Sequence, residues 1–378
     1  MSAPRTPPRA VPNIPFFNYR GAFAERADEL VAVFRDVIGR GAFIQQRDLA
    51  DFEASIAQYL GVRHAIGVGN ATDGLQFAFR ASGLKPGDEV IFPSHTMVAG
   101  PAAVHFAGGV PVPVEIGPDH LIDAASIERA LTPRTKFIMP TQLNGRTCDM
   151  AAVSAIASRH GLTIIEDAAQ ALGSKFDGRF AGTFGIAAAF SFYPAKVLGC
   201  MGDGGLVVTN DDAVAERIRL LRDHGRNSDG EVVMWGMNSR LDNLQAAVLH
   251  LQFKDYEKVI THRRTLAAEY QAQLGGVTQV ALPPAPDANA RHFDVYQNYE
   301  IEADRRDELK EFLKGRGVGT IIQWGGKAVH QYAALNMRVS LPITDRFFKR
   351  CIMLPLNMMV TRDDVVYVSA AIREFYGT

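Results

Sequence analysis

The chain has 378 residues, 47% of them hydrophobic and 21% charged, with 40 basic against 41 acidic side chains and a formal net charge of -1. That length accommodates one large domain and a smaller one. The charge balance gives nucleic acid or an anionic membrane no electrostatic reason to bind. Three cysteines (Cys148, Cys200, Cys351) are odd in number, far apart and without metal-ligand spacing, which argues against a disulfide framework or a metal centre and for a reducing compartment. The lead to Pro15 is rich in Pro, Arg and Ala but has no apolar core, so it does not read as a signal peptide. No apolar run reaches the length of a membrane span, and a cytoplasmic protein is expected.

In chain order, residues 22–37 read as an amphipathic helix with Phe23, Leu30, Val31 and Phe34 on one side. A loop covers 39–46, and a second helix runs 47–60, stopped at Gly61. A short strand, 64–69, leads through Asn70-Ala-Thr-Asp73 into a helix over 74–82, where Leu75, Ala78 and Phe79 make the apolar stripe. Strands at 89–92, 110–114, 136–139 and 162–167 then alternate with helices at 97–106, 122–131 and 150–160. Further strands at 187–192 and 206–209 precede a helix at 212–221. Such alternation predicts an α/β fold, a mainly parallel sheet flanked by helices, with ligands outside the carboxyl ends of its strands. A helical pattern runs with interruptions from 241 to 274. After the Pro-rich 282–286, segments at 295–302, 305–316 and 320–323 suggest a small α/β unit.

Three features fall at carboxyl ends of predicted strands. Gly69-Asn70-Ala71-Thr72-Asp73-Gly74 joins a strand to a helix, where backbone amides and the Thr72 hydroxyl make a phosphate cradle. Taken singly it also reads as an ordinary helix cap. Asp167 ends the most apolar strand; a carboxylate there is costly unless a cation faces it. A protonated pyridine nitrogen is such a cation, and holding it protonated makes pyridoxal phosphate an electron sink. The alternative for Asp167 is a cap on the following turn. The third feature is Ser191 with Lys196, five residues apart across Pro194. No other charge lies between Gly185 and Asp203, so the Lys196 ammonium is poorly hydrated and its amine is available as a nucleophile. A surface lysine on a turn is the plain alternative. Together the three features describe one site: cradle, ring-nitrogen partner and covalent anchor.

Glu166-Asp-Ala-Ala-Gln170-Ala, Ser191-Phe-Tyr-Pro-Ala-Lys196, Gly202-Asp-Gly-Gly205 and Gly236-Met-Asn238-Ser-Arg240-Leu-Asp-Asn-Leu-Gln-Ala-Ala247 resemble the signatures of the DegT/DnrJ/EryC1/StrS sugar aminotransferases. The likeness runs from about Pro15 almost to the carboxyl end. It implies a fold-type I enzyme with a large cofactor-binding domain over 1–254 and a small domain over 255–378. It implies transfer of an amino group from L-glutamate to a nucleotide-linked keto-sugar, on pyridoxal 5'-phosphate, in a homodimer. Carried over residue by residue, Lys196 matches the lysine that holds the cofactor and Asp167 its ring-nitrogen partner. Gln170 matches the neighbour of the ring hydroxyl. Ala71, Thr72 and Ser191 match phosphate ligands, and Asn238 matches the asparagine that reaches the phosphate from the other subunit. Met97 stands where the family commonly stacks an aromatic on the ring, and Gln142 where it has a histidine. Both departures bear on the substrate. His330 occupies the place of a histidine near the substrate mouth, although a capping or core histidine fits it better.

Rivals are a dehydratase of the same family, whose lysine is replaced by histidine, a catalytically silent cofactor-bound sensor, and a nicotinamide oxidoreductase. Lys196 opposes the first, the intact Lys196–Asp167–Ser191 set the second. The third lacks the last glycine of its fingerprint at Gly67-Val-Gly69-Asn-Ala-Thr72. Loops 39–46 and 227–235 are expected to hold the nucleotide. Arg226 and Arg240 read either as diphosphate ligands or as structural ion pairs.

Overall fold

Residues 12–378 are described by a computed structural model of the chain. In chain order the strands are β1 (His64–Val68), β2 (Glu89–Pro93), β3 (Val110–Val114), β4 (Thr135–Ile138) and β5 (Thr163–Asp167). A short hairpin follows, β6 (Lys175–Phe176) and β7 (Arg179–Phe180), then β8 (Ala187–Ser191) and β9 (Gly205–Thr209). The last are β10 (Val280–Ala281), β11 (His292–Phe293), β12 (Tyr299–Ala303) and β13 (Cys351–Leu354).

Seven strands form one sheet in the order β1-β9-β8-β5-β4-β2-β3. It is parallel from β8 through β3, and β9 alone runs antiparallel to both its neighbours. The sheet is therefore the mainly parallel α/β sheet that the alternation predicts. Its central strands are apolar along their length because helices cover both faces. On one side the helix Ala71–Ala81 buries Leu75, Phe77, Ala78 and Phe79. Gly74 lets it sit on the strands: a Cβ there would lie 3.0 Å from Val207 Cγ2 and 3.3 Å from Ala189 Cβ. On the other side Phe52 and Ile56 of the helix Arg47–Leu60 meet Phe190, Leu206 and Leu249 in a second packed layer.

The edge strand β3 reads Val-Pro-Val-Pro-Val. Val110 N–H donates to Asp88 O at 2.8 Å, and Val114 O accepts from Ser94 N–H at 3.0 Å, so the alternate Pro111 and Pro113 turn their backbone nitrogens away from β2. Neither carries an N–H, which blunts the edge against further strand pairing.

The carboxyl-terminal part builds a separate core on the sheet β10-β12-β13. Tyr270 and Leu274 of the helix Tyr256–Leu274 and Val368 and Ile372 of the helix Arg362–Tyr376 pack against Tyr299, Ile301 and Leu354. Ile14 joins this core from the other end of the chain, bridging to Val318. The long helix spans both cores, since its Tyr256 and Ile260 pack beneath the large sheet. No described helix is long and apolar enough to cross a membrane.

Several elements differ from expectation. The first helix is two, Tyr19–Ala24 and Ala27–Arg40, because Arg26 leaves helical geometry between them. Its buried positions are Leu30 and Val37, while Val31 is exposed and Phe34 only half-buried. The helix expected from Gly74 begins at Ala71, since the Asn70 side chain caps it. The 241–274 pattern is two helices, Asn243–Phe253 and Tyr256–Leu274. Thr320–Gln323 forms no strand, only a bridge from Ile321 to Met353. Beyond residue 323 the structure adds the helix Pro342–Phe348, β13 and the helix Arg362–Tyr376. Most of the Pro- and Arg-rich lead, residues 1–11, lies outside the described residues.

Candidate active site

Register brings the three strand-end features together. Asp167 on β5 lies opposite Ala189 on β8, two residues before Ser191. Ser191 pairs with Gly205 on β9, and Gly205 pairs in turn with Val68, the last residue of β1. The chain then passes from Val68 through Gly69 and Asn70 into the helix Ala71–Ala81. A Cβ on Gly205 would fall 2.4 Å from Asn70 C and 2.7 Å from Ala71 N, so the β9 backbone touches the helix start and glycine is required.

Asn70 supplies the cap: its Oδ1 accepts from Asp73 N–H at 2.9 Å, and its carbonyl accepts from Gly74 N–H at 3.1 Å. The Ala71 and Thr72 amides have no acceptor among the described residues. These free N–H groups at a helix start, flanked by the Thr72 and Ser191 hydroxyls, form a donor set that fits a phosphate. Ser239, which the sequence did not mark out, braces the turn. Its hydroxyl accepts from Gly69 N–H at 3.0 Å and donates to Asp73 Oδ2 at 2.6 Å.

Asp167 is buried, 5% exposed. Its Oδ1 accepts a single 3.2 Å bond from Ala169 N–H, and its Oδ2 has no partner among the described residues. Burial pushes this carboxyl above the usual range, opposed by the Ala169 amide and by the charge of Lys196. Such an under-bonded acid fits a cationic ring nitrogen. Lys196 is half-buried, and burial brings its amine down to about 8 against the opposing pull of Asp167. Lys196 also borders a cavity of about 340 Å³ whose wall includes Phe16, Tyr19, Tyr256, Asn298 and Met359.

Gln170 is held by its oxygen: Oε1 accepts from Asn144 N–H at 2.9 Å and from Asn298 Nδ2 at 3.4 Å. Met97 is 52% exposed, on the turn between β2 and the helix Ala99–Phe106. Gly100, three residues on, lies over the acid, with an added Cβ 3.6 Å from Asp167 Oδ2. Asn238 is exposed, next to the Ser239 that braces the cradle.

Four further side chains are engaged away from the cradle. Gln142 turns away from the site to brace Glu166, behind Asp167. Its Nε2 donates to Glu166 Oε2 at 2.7 Å, and its Oε1 accepts from Cys148 N–H at 2.6 Å. His330 is a tied histidine: Nδ1 meets Ser94 Oγ at 2.7 Å and Nε2 meets Asp345 Oδ1 at 3.0 Å. Arg226 and Arg240 both pair with Asp223, at 3.2 and 2.7 Å, as structural ion pairs do.

The chain is similar to known proteins along nearly its whole length. The model of the DegT/DnrJ/EryC1/StrS aminotransferase family matches residues 25–373. A dTDP-3-amino-3,4,6-trideoxy-alpha-D-glucose transaminase of Streptomyces venezuelae is 40% identical, over 96% of each chain. A UDP-2-acetamido-2-deoxy-3-oxo-D-glucuronate aminotransferase of Pseudomonas aeruginosa is 35% identical, over 95% of this chain and 99% of its own. Among solved structures, S. venezuelae DesV in complex with a ketimine intermediate superposes with a TM-score of 0.93 at 39% identity, covering 97% of this chain and 99% of that one. A Bacillus subtilis protein, NtdA, with bound cofactor PMP gives 0.88 at 28% identity, covering 98% and 87%.

Proposed function

Since this chain belongs to the DegT/DnrJ/EryC1/StrS aminotransferase family, we propose that it moves an amino group from L-glutamate to a nucleotide-linked keto-deoxysugar, using pyridoxal 5'-phosphate held at Lys196. The observation that carries this reading is the register that sets the buried, under-bonded Asp167 beside the Ser191 end of β8 and next to a helix start with free amides. When bound, pyridoxal phosphate supplies an aldehyde that amines condense with and a ring that takes up the electron pair left by a departing proton. Ala71, Thr72 and Ser191 would hold its phosphate, Asp167 would keep its ring nitrogen protonated, Gln170 would meet its ring oxygen and Met97 would offer the ring a polarisable thioether.

Lys196 has two tasks. It would anchor the cofactor through its amine, and that amine, when free, would take up and return the proton at the amino-acid alpha carbon. Burial that lowers the amine of Lys196 favours its neutral, proton-accepting form. The same residues serve both halves of the exchange, so kinetics are ping-pong. Relatives that act on dTDP- and UDP-linked sugars support the acceptor class.

A homodimer completes the site, Asn238 reaching the partner's phosphate. Support comes from the apolar surface beside it: Trp235 is 90% exposed, Val232 67% and Phe106 69%. Arg80 donates to Trp235 O and Gln76 to Phe106 O, which ties both segments to the helix Ala71–Ala81. Residues 1–254 and 255–378 act as the large and small domains of a cytoplasmic enzyme. Adding L-glutamate to the holoenzyme should convert its visible absorbance to a near-ultraviolet band, and a keto-sugar nucleotide should restore it. A spectrum that glutamate leaves unchanged contradicts the proposal.

A further inference from the structure

Asn144 stands at a left-handed backbone position, φ 54°, in the turn after β4, and its polar groups are engaged on several sides. Its N–H donates to Gln170 Oε1 at 2.9 Å, and its Nδ2 donates to Glu300 Oε2 at 2.7 Å. Its Oδ1 accepts from Asn298 Nδ2 at 2.8 Å and from Gln323 Nε2 at 2.7 Å. Glu300 and Gln323 are both 3% exposed. His95, also buried, brings Nε2 within 3.3 Å of the same Glu300 oxygen.

The direction of every amide in this cluster follows from its two ends. A backbone N–H only donates, so the Gln170 atom facing Asn144 is its carbonyl oxygen. A carboxylate only accepts, so the Asn144 atom facing Glu300 is its nitrogen, which turns Asn144 Oδ1 toward Asn298 and Gln323. Those two then present their nitrogens, and Asn298 gives Gln170 Oε1 a second donor at 3.4 Å. With its oxygen occupied twice, Gln170 cannot flip without setting N–H against N–H. Its Nε2 is left as a donor with no acceptor among the described residues.

We propose that Asn144, anchored by Glu300, is a positioning residue that locks the Gln170 amide as a hydrogen-bond donor toward the cofactor's ring oxygen. The inference rests on the function proposed above. A donor at that oxygen favours its anionic form and so moves the pH at which the bound chromophore changes colour. Asn144→Asp removes the donor to Glu300 and sets two carboxylates side by side without changing volume. The expected result is a colour-change midpoint raised by about one pH unit, with kcat falling about tenfold, the scale of one charge-assisted hydrogen bond. Gln170→Ala should raise the midpoint at least as far, since the backbone N–H at 144 still reaches Gln170 Oε1 in Asn144→Asp, and Asn144→Asp/Gln170→Ala should be no worse than Gln170→Ala alone. Asn298→Ala, measured the same way, serves if Asn144→Asp does not fold. An unmoved midpoint in a folded, coloured variant, or additive losses in the double variant, overturns the inference. Absence of a visible band in the wild-type holoenzyme would instead count against the proposed function.

Discussion

At Lys196 two opposing forces set the chemistry. Burial lowers the amine from 10.5 to about 8, while Asp167 pulls the other way. A lysine depressed in the folded chain binds fewer protons there than unfolded, so it costs stability below about 8. That cost fades as pH rises from about 8 toward the ordinary lysine value. The cofactor-free wild type should therefore gain thermal stability relative to Lys196→Met across that interval. A difference in melting temperature that stays flat from pH 7 to 10 would count against a buried amine. The neighbouring Glu166 has a different role. It is fully buried and accepts from Gln142 Nε2 and from the amides of Gly182, Phe184 and Gly185, at 2.7 to 2.9 Å. Glu166→Ala leaves those donors without an acceptor, and urea titration should find a loss of at least about 3 kcal/mol. A loss under about 1 kcal/mol would mean that water replaces the carboxylate there.

At the scale of elements, the cradle depends on β9 lying against the start of the helix Ala71–Ala81. Gly205→Ala would drive a methyl into the Asn70–Ala71 peptide and should cost about 1–3 kcal/mol. Cofactor affinity should fall with it, read by titrating the visible band; unchanged affinity would place the phosphate elsewhere. This arrangement was largely legible in the sequence. Strands buried on both faces announce themselves as short apolar runs, and Gly, Asn and Pro mark where they stop, so Asp167, Ser191 and Lys196 could be placed at neighbouring strand ends. Side-chain networks were not legible. Nothing local to Asn144 signals Glu300, 156 residues away, and Gln142 reads as a site residue until its side chain is seen turned toward Glu166. Ser239 is similar: only the fold brings it to Gly69, 170 residues earlier. The break at Arg26 was hidden because apolar spacing continues across it.

For the whole molecule, Trp235 and Val232 are exposed a few residues before the exposed Asn238, and Phe106 is exposed as well. If a second copy covers them, Trp235→Asp should shift sedimentation from dimer toward monomer and weaken cofactor retention together. Dissociation with full retention would mean that each chain holds its cofactor alone. The central claim, that Lys196 is the covalent anchor, is tested most directly by borohydride reduction of the holoenzyme followed by peptide mapping. The account predicts a phosphopyridoxyl group on the peptide carrying Lys196 and none in Lys196→Ala. The label on any other lysine would contradict it.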